Sequence, residues 1–467
     1  MPITTTHPRY TDQLARWAKN RAACSGQDEV KRYATDFLPD DNANDIREEA
    51  RARYKRYLLR AVWMPVSGYT KQGLIGMVMR RAPEVELPSQ IEYLLENADG
   101  SGLSLEQVAK LALAEVIEVG RVGVLVDYPA AEPGLSAEQV AALGLAARLT
   151  QYRAESIDNW RIQNIGGVMR LTMVKLCELA EVEKDDYLID YDKRYRVLRL
   201  VDGVYTQTVY DEYEQQIGDV MIPRQANSLP WNHIPFHFIG ATTNSPEVDE
   251  ALISGIVDLN TAHYQMSADS AKNLHIHSGG TLVISSSMSN EQWKEANPQG
   301  VTVGADQGLF LGDQGSASLL QLDPASAVEE KLRSLEAQMV AVGAHLISDA
   351  TRTETAEAAR IDASGKASSL STAVGNVSEG LEAALEDAAL FMGADPAAVR
   401  YSLNQQFYPD NLDAQTVMAM IQLMDRQVIG VQDVRTKLRG GGLIAQNRTD
   451  EDIDAEVGEV EPLVPAV

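Results

Sequence analysis

Cysteine, positive charge and long apolar runs are all scarce in this chain, and each shortage excludes a class of protein. Only two cysteines, Cys24 and Cys177, occur among 467 residues, far apart and outside any ligand-spaced motif. They form neither a disulfide framework nor a zinc site, and a reducing compartment is compatible with them. Lysine plus arginine number 41 against 67 aspartates and glutamates, for a formal net charge of −26. A protein that reads nucleic-acid sequence needs a basic face, and this balance argues against one. The best apolar window, 108–126, contains Lys110, Glu115, Glu118 and Arg121, so nothing reads as a membrane span. The opening MPITTTHPRYTDQ has no apolar core of the kind a signal peptide carries.

Catalytic signatures are equally scarce. Gly365-Lys366 resembles the end of a phosphate-binding loop, but Arg360 stands where the first glycine is required and Ala367 where Ser or Thr would hold magnesium. No serine lies in a Gly-x-Ser-x-Gly frame. His263, His275 and His277 cluster near a helix-to-strand junction without a carboxylate at ligand spacing, and read as polar residues of that junction. Asp40-Asp41 and Asp185-Asp186 stand in turn-like contexts that explain them without chemistry. The expectation is no catalytic residue, no metal and no cofactor.

What is present is organised around residues 245–284. Ser245 and Pro246 suit a helix N-cap and first position, and Glu247, Asp249 and Glu250 place negative charge at the positive end of the dipole. Leu252, Ile256, Leu259 and His263 lie on one side, with Ile253, Val257, Asn260 and Tyr264 beside them. Beyond Tyr264 the stripe turns polar through Ser267, Ser270 and Asn273, as expected of a helix leaving a core. Gly279-Gly280 ends it, and a strand follows at 281–284.

Upstream, helices are expected at 12–22, 44–60, 71–81 and 104–119. The second carries Arg47, Arg51, Arg53, Lys55, Arg56 and Arg60 beside Glu48 and Glu49, a solvated, salt-bridged face. The fourth has a capping box in Ser104 and Gln107, a stripe of Leu105, Val108, Ala112, Val116 and Val119, and a stop at Gly120. Strands are expected at 84–87 and 122–126, and an alanine-rich helix at 136–152. The period then changes to two. Strands at 159–165 and 168–174 flank Gly166-Gly167, and strands at 195–201 and 204–210 flank Asp202-Gly203. With a further strand at 234–239, residues 151–240 read as one β-rich subdomain.

Downstream, residues 285–315 are rich in Ser, Gly, Asn and Gln, with short strands at 301–303 and 309–311, and make a poor core alone. A helix returns over 324–347, followed by the polar SDATRTET of 348–355. Leu370, Val374, Val377, Leu381, Leu385, Ala388 and Met392 suggest a proline-free helix over 357–392, roughly 50–55 Å long if continuous. Helices at 410–428 and 431–438 precede Gly440-Gly441-Gly442 and an acidic tail that reads as solvated or disordered.

This order resembles the tailed-bacteriophage portal proteins. Residues 234–284, IPFHFIGATTNSPEVDE through GGTLVI, resemble the portal segment in which a wing strand leads into an outgoing stem helix and the clip. EVGRVGVLVDYP (118–129) resembles the wing of a portal subfamily formerly described as a domain of unknown function. The resemblance implies an α+β portal fold with an α/β wing, a two-helix stem, a small β-rich clip and a helical crown. Its boundaries would be a wing over 1–245, outgoing stem 246–278, clip 279–324, returning stem 325–347, tunnel loop 348–356, a long wing or crown helix 357–395, crown 396–449 and acidic tail 450–467.

It further implies a dodecameric ring at one capsid vertex, through which double-stranded DNA is packaged and ejected without sequence recognition. Implied partners are the terminase large subunit, head-completion or adaptor proteins, and major capsid and scaffold proteins, with the ring assembled in the host cytoplasm, resident in the virion and attached to no membrane. A closed ring needs two different faces on each subunit, and the weakly cored 285–315 segment and the small-residue helix after Glu357 suit completion by neighbours. Each neutralised phosphate adds affinity, so a strongly basic lumen would stall DNA, whereas scattered cations would not. Lys331, Arg333, Thr351, Arg352 and Thr353 are the candidate channel contacts, positioning the backbone rather than reading bases. Lys331 and Arg333 equally suit a water-facing outer stem surface. The competing readings are another ring-forming phage head adaptor and an α+β enzyme without a recognisable motif.

Overall fold

The computed structural model describes residues 2–40, 43–129, 145–183, 189–278, 281–298, 310–312, 314–320, 326–347, 368–407, 414–426, 428–440, 443–444 and 448–459. It is a mixed helix and sheet protein. Its helices, in chain order, are α1 (Pro8–Ser25), α2 (Gln27–Arg32), α3 (Glu48–Arg60), α4 (Val66–Val78), α5 (Leu105–Val119), α6 (Ser254–Ser278), α7 (Asn290–Ala296), α8 (Ser326–Ile347), α9 (Ser369–Met392), α10 (Ala414–Asp425), α11 (Val431–Gly440) and α12 (Asp450–Glu459). The strands are β1 (Glu84–Glu86), β2 (Arg121–Asp127), β3 (Arg148–Arg153), β4 (Ile157–Ile165), β5 (Val168–Glu183), β6 (Ile189–Val201), β7 (Val204–Asp211), β8 (Gln216–Met221), β9 (Phe236–Gly240), β10 (Thr281–Ser285), β11 (Ser316–Leu320) and β12 (Arg400–Ser402). None of the described helices is long and apolar enough to cross a membrane.

The chain divides into two compact units. Met1–Tyr10, Gln72–Asp249 and Ala367–Val467 form the first, and Thr11–Lys71 with Glu250–Lys366 form the second. Residues 11–71 therefore fall in one unit with 250–366, whereas the sequence suggested a single stretch over 1–245.

The first unit is built on α5 and β2. The Ser104 hydroxyl accepts from the Gln107 amide at 3.2 Å, and Gln107 Oε1 accepts from the Ser104 amide at 2.9 Å, completing the capping box. Gly120 closes the helix at φ 81°, a conformation glycine adopts freely. β2 then runs down the centre of an antiparallel sheet in the order β3-β2-β9. One face, carrying Ile239, is approached so closely by α9 that a side chain on Gly380 would collide with Ile239. The opposite face is aromatic. Arg121 is 1% exposed there, its guanidinium 4.0 Å from the Trp160 ring centroid and 4.4 Å from that of Phe238. Its N–H groups find no acceptor among the described residues, so ring quadrupoles are its near neighbours. Burial lowers its pKa to about 9, with Asp249 opposing the shift. His7 stacks on Trp160 at 4.0 Å, and burial, then Arg121 and Arg9, depress its pKa.

A five-stranded antiparallel meander, β4-β5-β6-β7-β8, and a two-stranded sheet of β1 and β12 are the other described sheets of this unit. Gly166-Gly167 and Asp202-Gly203 turn hairpins of the meander with positive φ at all four residues. Trp160, Val174, Leu176, Leu198 and Tyr205 are buried in it, whereas Leu179, Ile189 and Tyr191 are exposed.

Several expectations are corrected. Residues 148–153 form β3 rather than the end of a helix, because Leu149 and Tyr152 are buried where the strand pairs with β2; residues 136–144 lie outside the described residues. Residues 151–240 are β-rich as expected, with their strands divided between two sheets, since the strand near 234–239 joins β2. Ser368 is an N-cap whose hydroxyl accepts from the Ser371 amide at 3.1 Å. A helix continuous over 357–392 is therefore excluded, and the 24 residues of α9 span about 36 Å. Phe310 and Leu311 are not in a strand, and residues 301–309 lie outside the described set; β10 pairs instead with β11. Finally, of the solvated or disordered tail expected from 450 onward, 450–459 is a helix with Glu451, Asp452, Asp454 and Glu456 exposed to water.

Candidate functional site

The second unit holds the segment around which the chain is organised. Its central element, α6, begins at Ser254, not at Pro246. Before it, Asp249 accepts the amides of Thr242 and Thr243 at 2.7 and 2.9 Å, Glu247 pairs with Arg9, and Ser245 accepts from the Thr243 hydroxyl at 2.9 Å. The local polar groups thus stabilise a turn, and the capping signals are used there instead of on a helix.

Helices α1 and α4, with the segment at Trp63-Met64, clamp the first half of α6. Asn20 donates to the Ser254 hydroxyl at 3.2 Å, and Arg16 grips Asp258 with two donors at 2.6 and 2.8 Å while Lys19 adds a third at 3.0 Å. These bonds, chiefly that from Arg16, hold the Asp258 carboxyl down at about 2. Asn260 donates to the Met64 carbonyl at 3.0 Å and to the Ser67 hydroxyl at 3.1 Å. Tyr264 packs edge-on against Trp63, which in turn meets Phe37, both with centroids 5.5 Å apart. From Asp269 to His275 no side chain is buried. The change from apolar to polar expected along this helix is therefore a change from clamped to open.

α8 returns beside α6. Val342 lies 3.7 Å from where a side chain on Gly255 would begin, and His263 Nε2 lies 3.4 Å from Glu336 Oε1. As one number rises the other falls, so the helices are antiparallel. A methyl group at position 255 would meet Val342 at ordinary van der Waals distance, so the helices are adjacent there without a clash. Leu335, Met339 and Leu346 are the buried side chains of α8, and the rest of its described surface is half-buried or exposed. Between the two helices, β10 and β11 pair antiparallel from Thr281–Leu320 to Ser285–Ser316. Nearby, α7 is capped by Ser289 and Gln292, and Asn297 holds both the amide and the carbonyl of Phe310.

Lys331 and Arg333 sit exposed on α8 among Glu329, Glu330 and Glu336, with Arg333 4.0 Å from Glu329. Their positive charge is locally compensated, and the structure brings them to one helix. Thr351, Arg352 and Thr353 lie outside the described residues. His263 faces Glu336 and not His275, and His277 is close to the end of α6; no group of three or more His, Cys, Asp or Glu among the described residues is arranged for a metal.

Sequence reasoning missed one polar cluster in the first unit. His233 and His237 each direct Nε2 to the buried Asp387 carboxylate, at 3.0 and 2.8 Å. Burial pushes that carboxyl up, but the two imidazole hydrogen bonds outweigh it and hold it below the ordinary value. The cluster fastens α9 to β9 and the segment before it. His-x-x-x-His in 233–237 was its only local signal, and Asp387 stands 150 residues from His237.

Residues 253–392 match a protein family described as "Domain of unknown function (DUF4055)", a stretch that takes in α6, α8 and α9 but not 118–129. No curated protein matches the chain. Among solved structures, a chain in the neck of an empty gene transfer agent particle, computed with C6 symmetry, is similar at a TM-score of 0.38 and 14% identity, over 80% of this chain and 90% of that one. A chain from the virion of a native gene transfer agent particle gives 0.38 and 15%, over 80% and 89%. An HK97-family phage portal protein from Corynebacterium diphtheriae gives 0.33 and 9%, over 73% and 92%.

Proposed function

We propose that the chain is a portal-type subunit, a structural protein that forms a ring at one capsid vertex and conducts double-stranded DNA during packaging and ejection. The observation that carries this reading is the antiparallel pair α6 and α8. It is rooted in a clamp of helices at one end and joined through the small β10-β11 sheet, with exposed side chains along most of α8. An enzyme gains little from such a pair, whereas a ring needs surfaces that neighbouring copies complete. The interleaved charges of α8 fit a conduit, since a polyanion meets cations without a continuous basic track.

On this reading α6 and α8 are the stem, the segment with β10 and β11 is the clip, and 348–356 is the tunnel loop. The ring is dodecameric, the terminase large subunit docks on the clip and head-completion proteins replace it, with capsid and scaffold proteins around the vertex. Assembly takes place in the host cytoplasm. Negative-stain microscopy with light scattering on the purified chain tests it, and rings of about twelve copies with an axial hole are expected for a closed cyclic assembly. A monomer that also fails to assemble with head proteins would overturn the proposal. Replacing Lys331, Arg333 and Arg352 by alanine should leave rings intact and slow packaging; unchanged packaging would remove these residues from the channel.

A further inference from the structure

The described C-terminal elements show a local reversal of charge. The stretch from Val431 to Arg448 carries Arg435, Lys437, Arg439 and Arg448 against Asp433, in a chain of net charge −26. Asp433 is spent on the helix start, where it accepts the Gly430 amide at 2.8 Å. Arg435 and Arg439, four residues apart, share one side of α11. The next helix, α12, has carboxylates at Asp450, Glu451, Asp452, Asp454 and Glu456 and no base.

The two helices are matched group by group. Arg435 binds the Asp454 carboxylate and reaches the Asp450 carbonyl at 3.5 Å. Arg439 binds the Asp450 carboxylate and the Arg448 carbonyl, the latter at 3.0 Å, and Arg448 binds Glu456. This cover leaves the side chains of Arg435 and Arg439 only 12% and 21% exposed. Asp452 is occupied at the helix start, exchanging hydrogen bonds with Thr449 at 3.1 Å. Asp450, Asp454 and Glu456 are thus the groups placed on the arginines.

We propose that this arginine face of α11, together with Arg448, binds the phosphate backbone of duplex DNA, and that α12 covers the three arginines as an intramolecular substitute for phosphate. Planar guanidinium groups suit phosphate and carboxylate alike, so one face serves both. The Asp454 and Glu456 carboxylates stay 65% and 71% exposed, and ion pairs so wetted contribute little each, which makes α12 displaceable. Bound phosphates also release condensed counterions, a gain the helix carboxylates lack, so a high local concentration of DNA favours exchange. The inference rests on the portal reading only in supposing that DNA is near; ring formation tests that reading separately.

The test is binding of a fluorescent 30-base-pair duplex to the full-length chain at low salt, followed by anisotropy. The D450N/D454N/E456Q variant should bind roughly tenfold or more tightly than wild type, with a salt slope steeper by about 2 to 3, as expected for three added phosphate contacts. Adding R435A/R439A/R448A should abolish the gain. D192N/E212Q/D219N, an equal charge change at exposed positions of the meander, should give none. The single variants D450N and D454N should move affinity in the same direction by less, and serve if the triple variant loses helicity. Equal binding by the α12 variants and wild type, or a gain that survives loss of the arginines, would overturn the proposal.

Discussion

The two halves of α6 are one continuous helix held in different ways. The first is fixed by Asn20, Arg16, Lys19, Ser67 and Trp63, through bonds and ring contacts that cross about 190 to 240 residues of sequence. The second is in contact with Tyr57, which donates to Asp269 and lies 4.9 Å from the Lys272 ammonium, but Leu274 is 63% exposed. Most helix stability in proteins comes from packing rather than propensity. The first half is therefore a rigid anchor, and the second a surface whose order depends on what is laid against it.

Substitutions can break or sharpen that contrast. The largest effect is expected in the anchor: Tyr264→Ala should cost about 3–5 kcal/mol by emptying the site beside Trp63, read as a shift in the urea midpoint followed by tryptophan fluorescence. Asn260→Ala should cost about 1–3 kcal/mol, since the Met64 carbonyl and Ser67 hydroxyl lose a buried donor. If either variant unfolded at the wild-type midpoint, the clamp would not be the source of stability.

A smaller effect separates charge from packing. The Asp258 carboxyl is held at about 2, below its ordinary 3.8, so its contribution is present above pH 4 and is lost as pH falls from about 4 toward 2. Both partners are partly exposed, which limits the loss to about 0.2–1 kcal/mol. Asp258→Asn should remove this contribution, and a pH–stability difference curve that stayed flat between 4 and 2 would refute the assignment. Smallest of all, Leu274→Ser in the open half and Val340→Ser on α8, 74% exposed, should change the stability of the isolated chain by no more than about 0.5 kcal/mol. They should nonetheless reduce the yield of rings if neighbours cover these side chains. Unchanged assembly would assign the open half to solvent.

Much of this was legible in the sequence, for a physical reason: local signals act locally. Ser104 and Gln107, Gly120 and Asp202-Gly203 each satisfy or bend the backbone within a few residues, and the structure uses each as expected. The fading stripe of α6 was readable because burial leaves its mark on composition. Long-range choices were not. Nothing near Phe236–Gly240 shows that this strand joins β2 and not the meander, since either partner satisfies the same alternation. Ser245-Pro246 looked like a helix start because the competing acceptor, Asp249, acts backward on Thr242 and Thr243. The aromatic sandwich around Arg121 joins residues 121, 160 and 238, and no spacing rule announces it. At the candidate site, the existence of α6 and α8 was legible, whereas the Arg16–Asp258 and His263–Glu336 pairs required the fold.

The interleaving of the two units also has a consequence in time. Arg16 and its partner Asp258 are 242 residues apart, and the helices of 11–71 belong to a unit whose remaining part starts at Glu250. At synthesis rates of about 5–20 residues per second, the first helices leave the ribosome roughly 12–50 s before α6 exists to receive them. Throughout that interval the groups meant for α6 are open to water and to other nascent chains. A fragment ending before Glu250 should accordingly keep the early helices unprotected, and production of this protein should be sensitive to whatever shelters an unfinished chain.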